Sequence, residues 1–163
     1  FKDAYFNRFN NIWHHGDFAE IKKTNGLIIH GRSDTTLNPG GVRLGTAEIY
    51  TEVERFKEVK ESIVVGQSWD NDVRIILFIV MNTKFYLTED LLKKIKFQIK
   101  KNASPRHVPS KIIEVKDIPR TKSGKIVELA VKNILDGNNI KNKEALANPE
   151  ALKQFKNLKE LSN

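Results

Sequence analysis

The run Ile75-Ile76-Leu77-Phe78-Ile79-Val80-Met81 is the feature that most constrains how this chain can fold. Its apolar residues are continuous, with no polar face. The spacing therefore predicts a strand over 73–81 buried on both sides. The run is too short for a bilayer, which takes about 20 apolar residues in a helix.

Other strands and helices follow from periodicity. Trp13 to Ile21 starts as a turn and runs into alternation, Gly26 to Gly31 is a short strand closed by glycines, and Asn25-Gly26 between them signals a hairpin. Asn38-Pro39-Gly40-Gly41 is a tight turn. Thr46 is expected to cap a helix bearing Ile49, Val53 and Phe56. Ser62 to Gly66 reads as a strand, Ser68 to Asp72 as a polar turn. Thr88 caps a helix with Leu91, Ile95 and Ile99 inward and lysines outward. Lys111 to Val115 is a strand, Pro119 to Lys125 a polar loop. Val127, Val131 and Ile134 share a helix face that Gly137 ends. Asn148-Pro149-Glu150 predicts a tail helix, with Leu152, Phe155 and Leu158 inward. The order hairpin, α, β, β, α, β, α describes a small α+β fold.

The formal charge is +8 over 163 residues, and there is no cysteine. Disulfides, thiolate metal sites and a cysteine nucleophile are thereby excluded. A reducing cytoplasm fits. The start, Phe1-Lys2-Asp3, has neither an initiator Met nor a signal pattern, and the chain reads as a piece of something longer. A basic balance suits nucleic acid, anionic membranes or phosphorylated ligands, but the commoner reading is a lysine-rich soluble surface. His14 and His15 point apart in an extended chain, so no metal site is expected.

Three segments could carry chemistry. In Trp13-His14-His15-Gly16-Asp17, the Asp can accept hydrogen bonds from a ribose diol, or be a turn residue. Arg32 and Arg43 flank the glycine turn. Their forked donors suit phosphate, or are solvated strand-end charges. Pro119-Arg120-Thr121-Lys122-Ser123-Gly124-Lys125 lets the backbone approach a site closely while a long cation projects. It is not a Walker A loop.

Together, in this order, the segments resemble the superfamily of acyl-CoA synthetases, peptide-synthetase adenylation domains and luciferases. They match its Tyr/Trp-x-x-Gly-Asp, Gly-Arg-x-Asp and Pro-x-x-x-x-Gly-Lys motifs. Leu37 to Arg43, Ala103 to Ser110, Gly124 to Glu128 and Asn148 to Leu152 resemble the branch that activates acetoacetate. Short-chain members of the family usually stop soon after the lysine helix, so the tail is informative.

The resemblance implies a C-terminal lid at 34–137 with a small sheet and flanking helices. It is preceded at 1–33 by the end of a large N-terminal adenylation domain, and followed at 138–163 by a linker and tail. It implies ATP with Mg²⁺, CoA and a short carboxylic acid as substrates, and the large domain as partner. By resemblance Lys125 is catalytic, Asp17, Arg32 and Arg43 bind ATP or AMP, Asp34 is the hinge, and Gly40 and Gly41 line the CoA path. Lys125 is also a candidate for reversible acetylation by an acetyltransferase and deacetylase pair. The lysine face at Lys93, Lys96 and Lys100 either attracts CoA phosphates or is simply solvated. Alternatives are an acetate or propionate enzyme of the same family, or a basic nucleic-acid-binding module. The last needs a clustered patch with stacking aromatics, and the lysine helix offers only Phe97. Neither nucleic acid nor membrane is expected as a partner.

Overall fold

A computed structural model describes residues 2–140 and 143–162. It contains a two-stranded and a three-stranded sheet, with helices around the second. A short helix, α1 (Lys2–Tyr5), opens the described chain. Strands β1 (Asp17–Ile21) and β2 (Leu27–Arg32) form the expected antiparallel hairpin. Their register shifts at Phe18/Ala19, from Phe18 opposite Gly31 to Ala19 opposite Ile29. His30 is the extra residue of this bulge, and bulges re-aim side chains.

Helix α2 (Ala47–Val53) buries Ile49 and Val53. It ends before Phe56, which still packs against the core. Thr46 sits at the cap position, but its side chain makes no cap bond. Its backbone is already helical there, whereas a side-chain cap needs an extended residue.

Strands β3 (Val59–Trp69) and β4 (Asp72–Met81) pair along their full length. Only Asp70 and Asn71 remain in the turn, both with positive φ (49° and 58°), as a two-residue hairpin turn requires. The turn predicted over 68–72 is therefore shorter than its polar composition suggests. Strand β5 (Lys111–Glu114) runs parallel to β4 on the other side, leaving β4 central.

Every residue from Ile75 to Val80 is buried, as the apolar run requires. Their side chains alternate between two clusters. Ile75, Leu77 and Ile79 meet Ile49 and Val53 of α2, with Leu91, Ile95 and Ile99 of α3 (Glu89–Asn102). Thr88 caps α3 through its side chain. Ile76, Phe78 and Val80 meet Val131 of α4 (Glu128–Leu135), Phe155 and Leu161. Gly137, at φ 72°, ends α4 as expected.

The tail does not form the predicted α-helix. It runs as 3-10 turns at Lys143–Ala145, Pro149–Phe155 and Lys159–Leu161. Asn148 makes no cap bond, because its side chain is engaged elsewhere. Of the linker expected after 137, residues 141 and 142 lie outside the described residues. Among the described residues, no helix is long and apolar enough to cross a membrane.

Candidate functional site

The hairpin brings Asp17 and Arg32 opposite one another, at the start of β1 and the end of β2. The Arg32 guanidinium donates through Nε and Nη2 to the two carboxylate oxygens of Asp34, at 3.3 and 3.2 Å. Its Nη1 donates to the His15 carbonyl at 3.0 Å and lies 3.8 Å from Asp17. The hydrogen bond to Asp34 is the main cause raising the Arg32 pKa. The other Asp17 oxygen is 2.7 Å from His15 Nδ1. Such solvent-exposed pairs add little stability, ~0–1 kcal/mol. They orient Asp17 and hold Asp34 beside the chain's exit from β2.

Gly40 and Gly41 form the turn after Pro39 with φ of 58° and 75°, a conformation costly for any residue with a Cβ. Both are exposed, and a Cβ at either would meet nothing within 4 Å. The Gly40 N–H donates to both oxygens of Asp72, at 2.9 and 3.0 Å. The β3–β4 hairpin tip thus holds the glycine turn. An open depression beside it is lined by Asn38, Gly41, Trp69 and Asp70. Arg43 is exposed, with its guanidinium 5.4 Å from the Phe18 ring centroid.

Lys125 lies exposed in a tight hairpin-like turn. The Thr121 N–H donates to the Lys125 carbonyl at 2.9 Å, and the Gly124 N–H to the Thr121 carbonyl at 2.8 Å. The Lys125 N–H donates to Thr121 Oγ1 at 3.1 Å. Arg120 donates through Nη1 to the Gly124 carbonyl at 2.9 Å and pairs through Nη2 with Glu61 of β3 at 3.1 Å. The backbone is therefore fixed on both sides of Lys125. Among the described residues its ammonium has no ion-pair partner, so it is available to an anion.

Several polar residues were invisible to sequence reasoning. His30, aimed by its bulge, lies 3.1 Å from Glu20 and 3.0 Å from Glu48 of α2. It links the two-stranded hairpin to the helical layer. The second Glu48 oxygen is buried without a hydrogen-bond partner among the described residues, and so is His107 Nε2. His107 Nδ1 is 2.8 Å from Ser104 Oγ. Burial pushes the His107 pKa down, opposed by the charge of Glu48. Tyr50 donates its hydroxyl to Glu128 at 2.5 Å and accepts from the Val64 N–H at 3.0 Å. Its pKa is raised well above the ordinary value, first by burial and then by Glu128. No local motif announces the contacts of His30 with Glu48 and of Tyr50 with Val64 and Glu128, which join residues 14 to 78 positions apart.

The sites sit at different ends of β3. The Lys125 turn reaches β3 at Glu61, near the strand's start. The glycine turn meets Asp72, which pairs with Trp69 at the strand's end. At ~3.3 Å per residue, Glu61 and Trp69 are roughly 26 Å apart. Among the described residues, no three His, Asp or Glu side chains converge as a metal site.

Residues 48–125 match the family model for the AMP-binding enzyme C-terminal domain. The chain is 60% identical over 163 residues to an acetoacetyl-coenzyme A synthetase of Rhizobium meliloti (strain 1021), covering 100% of this chain and 25% of that relative. It is 48% identical over 165 residues to an acetoacetyl-CoA synthetase of Xenopus tropicalis, with the same coverage, 100% and 25%. A solved acetoacetyl-CoA synthetase from Streptomyces lividans superposes with a TM-score of 0.85 at 38% identity, over 94% of this chain and 23% of that one. The chain therefore spans about a quarter of the length of the curated relatives it matches.

Proposed function

The chain belongs to the family of AMP-binding enzyme C-terminal domains, and from that premise we propose that it is the lid of a larger enzyme that makes acetoacetyl-CoA. Residues 1–33 end the large domain, 34–137 form the lid and 138–163 the tail. The large domain is the lid's partner, and the cytoplasm is its setting.

In the first half-reaction an acetoacetate oxygen attacks the α-phosphorus of ATP, and pyrophosphate leaves with its bridging oxygen. Mg²⁺ arrives with ATP as part of the substrate. In the second, CoA sulfur attacks the acyl carbon. The thiol proton goes to solvent, and AMP leaves with the electron pair of the broken C–O bond.

Lys125 serves the first half. Its ammonium bridges the attacking carboxylate and the phosphate, as a preorganised donor where charge is concentrated. Asp17 accepts hydrogen bonds from the ribose hydroxyls, and Arg32 keeps it oriented. Arg43 meets the phosphates. Gly40 and Gly41 serve the second half, where their lack of side chains leaves the thiol path open. Between halves the lid turns about Asp34. The ~26 Å between the two sites fits this division, because one pocket cannot use both ends of β3 at once. Reversible acetylation of Lys125 removes its charge and stops adenylation while sparing thioester formation.

The observation that carries this reading is an ammonium without an ion-pair partner among the described residues, on a fixed turn in the Pro-x-x-x-x-Gly-Lys context. The test is ATP–pyrophosphate exchange by the full-length protein with a panel of short acids. Acetoacetate is expected to support exchange. Exchange with acetate or propionate and not with acetoacetate overturns the substrate.

A further inference from the structure

We propose that the segment from Lys143 to Phe155 is a brace that sets the Lys125 turn, with Asn148 as its positioning residue. This rests on the adenylation role given to Lys125 above.

The contacts converge on residues 117–122, the stretch leading into the Lys125 turn. Asn148 Oδ1 accepts from the Arg120 N–H at 2.8 Å. Asn148 Nδ2 donates to Asp117 Oδ2 at 2.6 Å and to the Ile118 carbonyl at 2.9 Å. The backbone adds a ladder. The Ala147 N–H donates to the Arg120 carbonyl at 2.8 Å, and the Lys122 N–H to the Ala145 carbonyl at 3.1 Å. Thr121 and Leu146 form an antiparallel bridge, while Arg120 and Ile126 form another on the opposite side. Residues 119–122 therefore run between the tail and the 125–127 limb that carries Lys125, a miniature three-stranded arrangement.

The brace is itself anchored. Leu146 and Leu152 are buried with Ala130 of α4, the helix that follows the turn. Phe155 meets Phe78 of β4 edge-on at 4.9 Å. Arg120 closes the circuit, since its backbone is held by the tail and its guanidinium holds the Gly124 carbonyl and Glu61. Among the described residues of the tail, Asn148 is the one whose side chain satisfies backbone groups on both sides of Pro119. Without it, the Arg120 N–H loses its acceptor and the turn loses its fixed base. A long flexible cation stabilises a developing charge only when its base is preorganised.

The test uses the full-length protein and the two half-reactions, with Asn148→Ala as the perturbation. Gln154→Ala is the comparison. Gln154 also ties the tail down, but to the Lys116 N–H and Asp117 carbonyl and not to the turn. Expected for Asn148→Ala is a roughly tenfold lower kcat for ATP–pyrophosphate exchange, about 1.4 kcal/mol in the barrier. KM for ATP stays within about twofold, and the rate from supplied acyl-adenylate to acyl-CoA is unchanged. The second half-reaction counts folded enzyme in the same preparation. Gln154→Ala is expected to keep the ratio of the two halves. Equal losses in both halves for Asn148→Ala, or no loss in either, overturn the brace. A wild-type protein that gives no exchange with any short acid instead overturns the synthetase reading.

Discussion

Gly45 lies where the two-stranded hairpin meets the helical layer, and it has no room for a side chain. A Cβ there falls 2.8 Å from the His30 Cβ, 2.6 Å from Glu48 Oε2 and closer still to the His30 carbonyl oxygen. The Glu48 carboxylate can swing away, but the His30 backbone belongs to β2 and cannot move without opening the contact between layers. Gly45→Ala is thus an overpacking substitution, costing about 1–3 kcal/mol. On the hinge proposed at Asp34, that cost falls on the orientation seen here, because the clash joins residues on either side of Asp34. At about 2 kcal/mol, this orientation loses roughly 30-fold in population relative to the other. In the full-length protein one half-reaction should then slow by that factor relative to the other. The His30–Glu48 contact opens with it, so Glu48→Gln should shift the same ratio in the same direction by a smaller factor. ATP–pyrophosphate exchange and acyl transfer from supplied adenylate read the two halves separately. An unchanged ratio in Gly45→Ala refutes the reasoning.

Other consequences follow from single contacts. Phe155→Ala removes an aromatic partner of Phe78 and leaves a cavity, so urea denaturation of the segment should show about 3–5 kcal/mol less stability. Tyr50→Phe leaves the Val64 N–H without its acceptor, at a cost of about 1–3 kcal/mol by the same measurement. His107 is held below its ordinary pKa of 6.5 by burial, so the unfolded chain takes up a proton at a higher pH than the fold. Its contribution is complete above pH 6.5 and is lost as pH falls through the lower folded value. His107→Gln should flatten the fall in stability on the acid side of 6.5, measured by thermal melts across pH, with Ser104 and Glu48 left in place.

Much of the fold was legible where a local pattern is enough. The run from Ile75 to Met81 needed no partner to declare a two-sided strand, and Leu91, Ile95 and Ile99 declared their helix face. The pattern failed where tertiary contacts outweigh local preference. Ser68 and Asp72 are polar and exposed, so they read as turn, yet edge residues pair as well as buried ones. Asn148-Pro149 reads as a helix start, but Asn148 satisfies Arg120 and Ile118 instead of its own helix. The bulge that aims His30 depends on which residue of β1 faces it, and a strand read alone carries no register. The site motifs were legible through resemblance. Their support from Asp72, Arg120 and Asn148 was not, because those bonds join residues 28 to 32 positions apart or depend on how a turn folds back.

The central claim is that this segment supplies the lysine of the adenylation half alone. Lys125→Ala in the full-length protein, assayed in both half-reactions, tests it most directly. ATP–pyrophosphate exchange with acetoacetate should fall about 10²- to 10³-fold. Acyl transfer from supplied acyl-adenylate to CoA should stay within about twofold, because Lys125 and the glycine turn lie at different ends of β3. Exchange that persists at the wild-type rate, or an equal loss in both halves, contradicts the account.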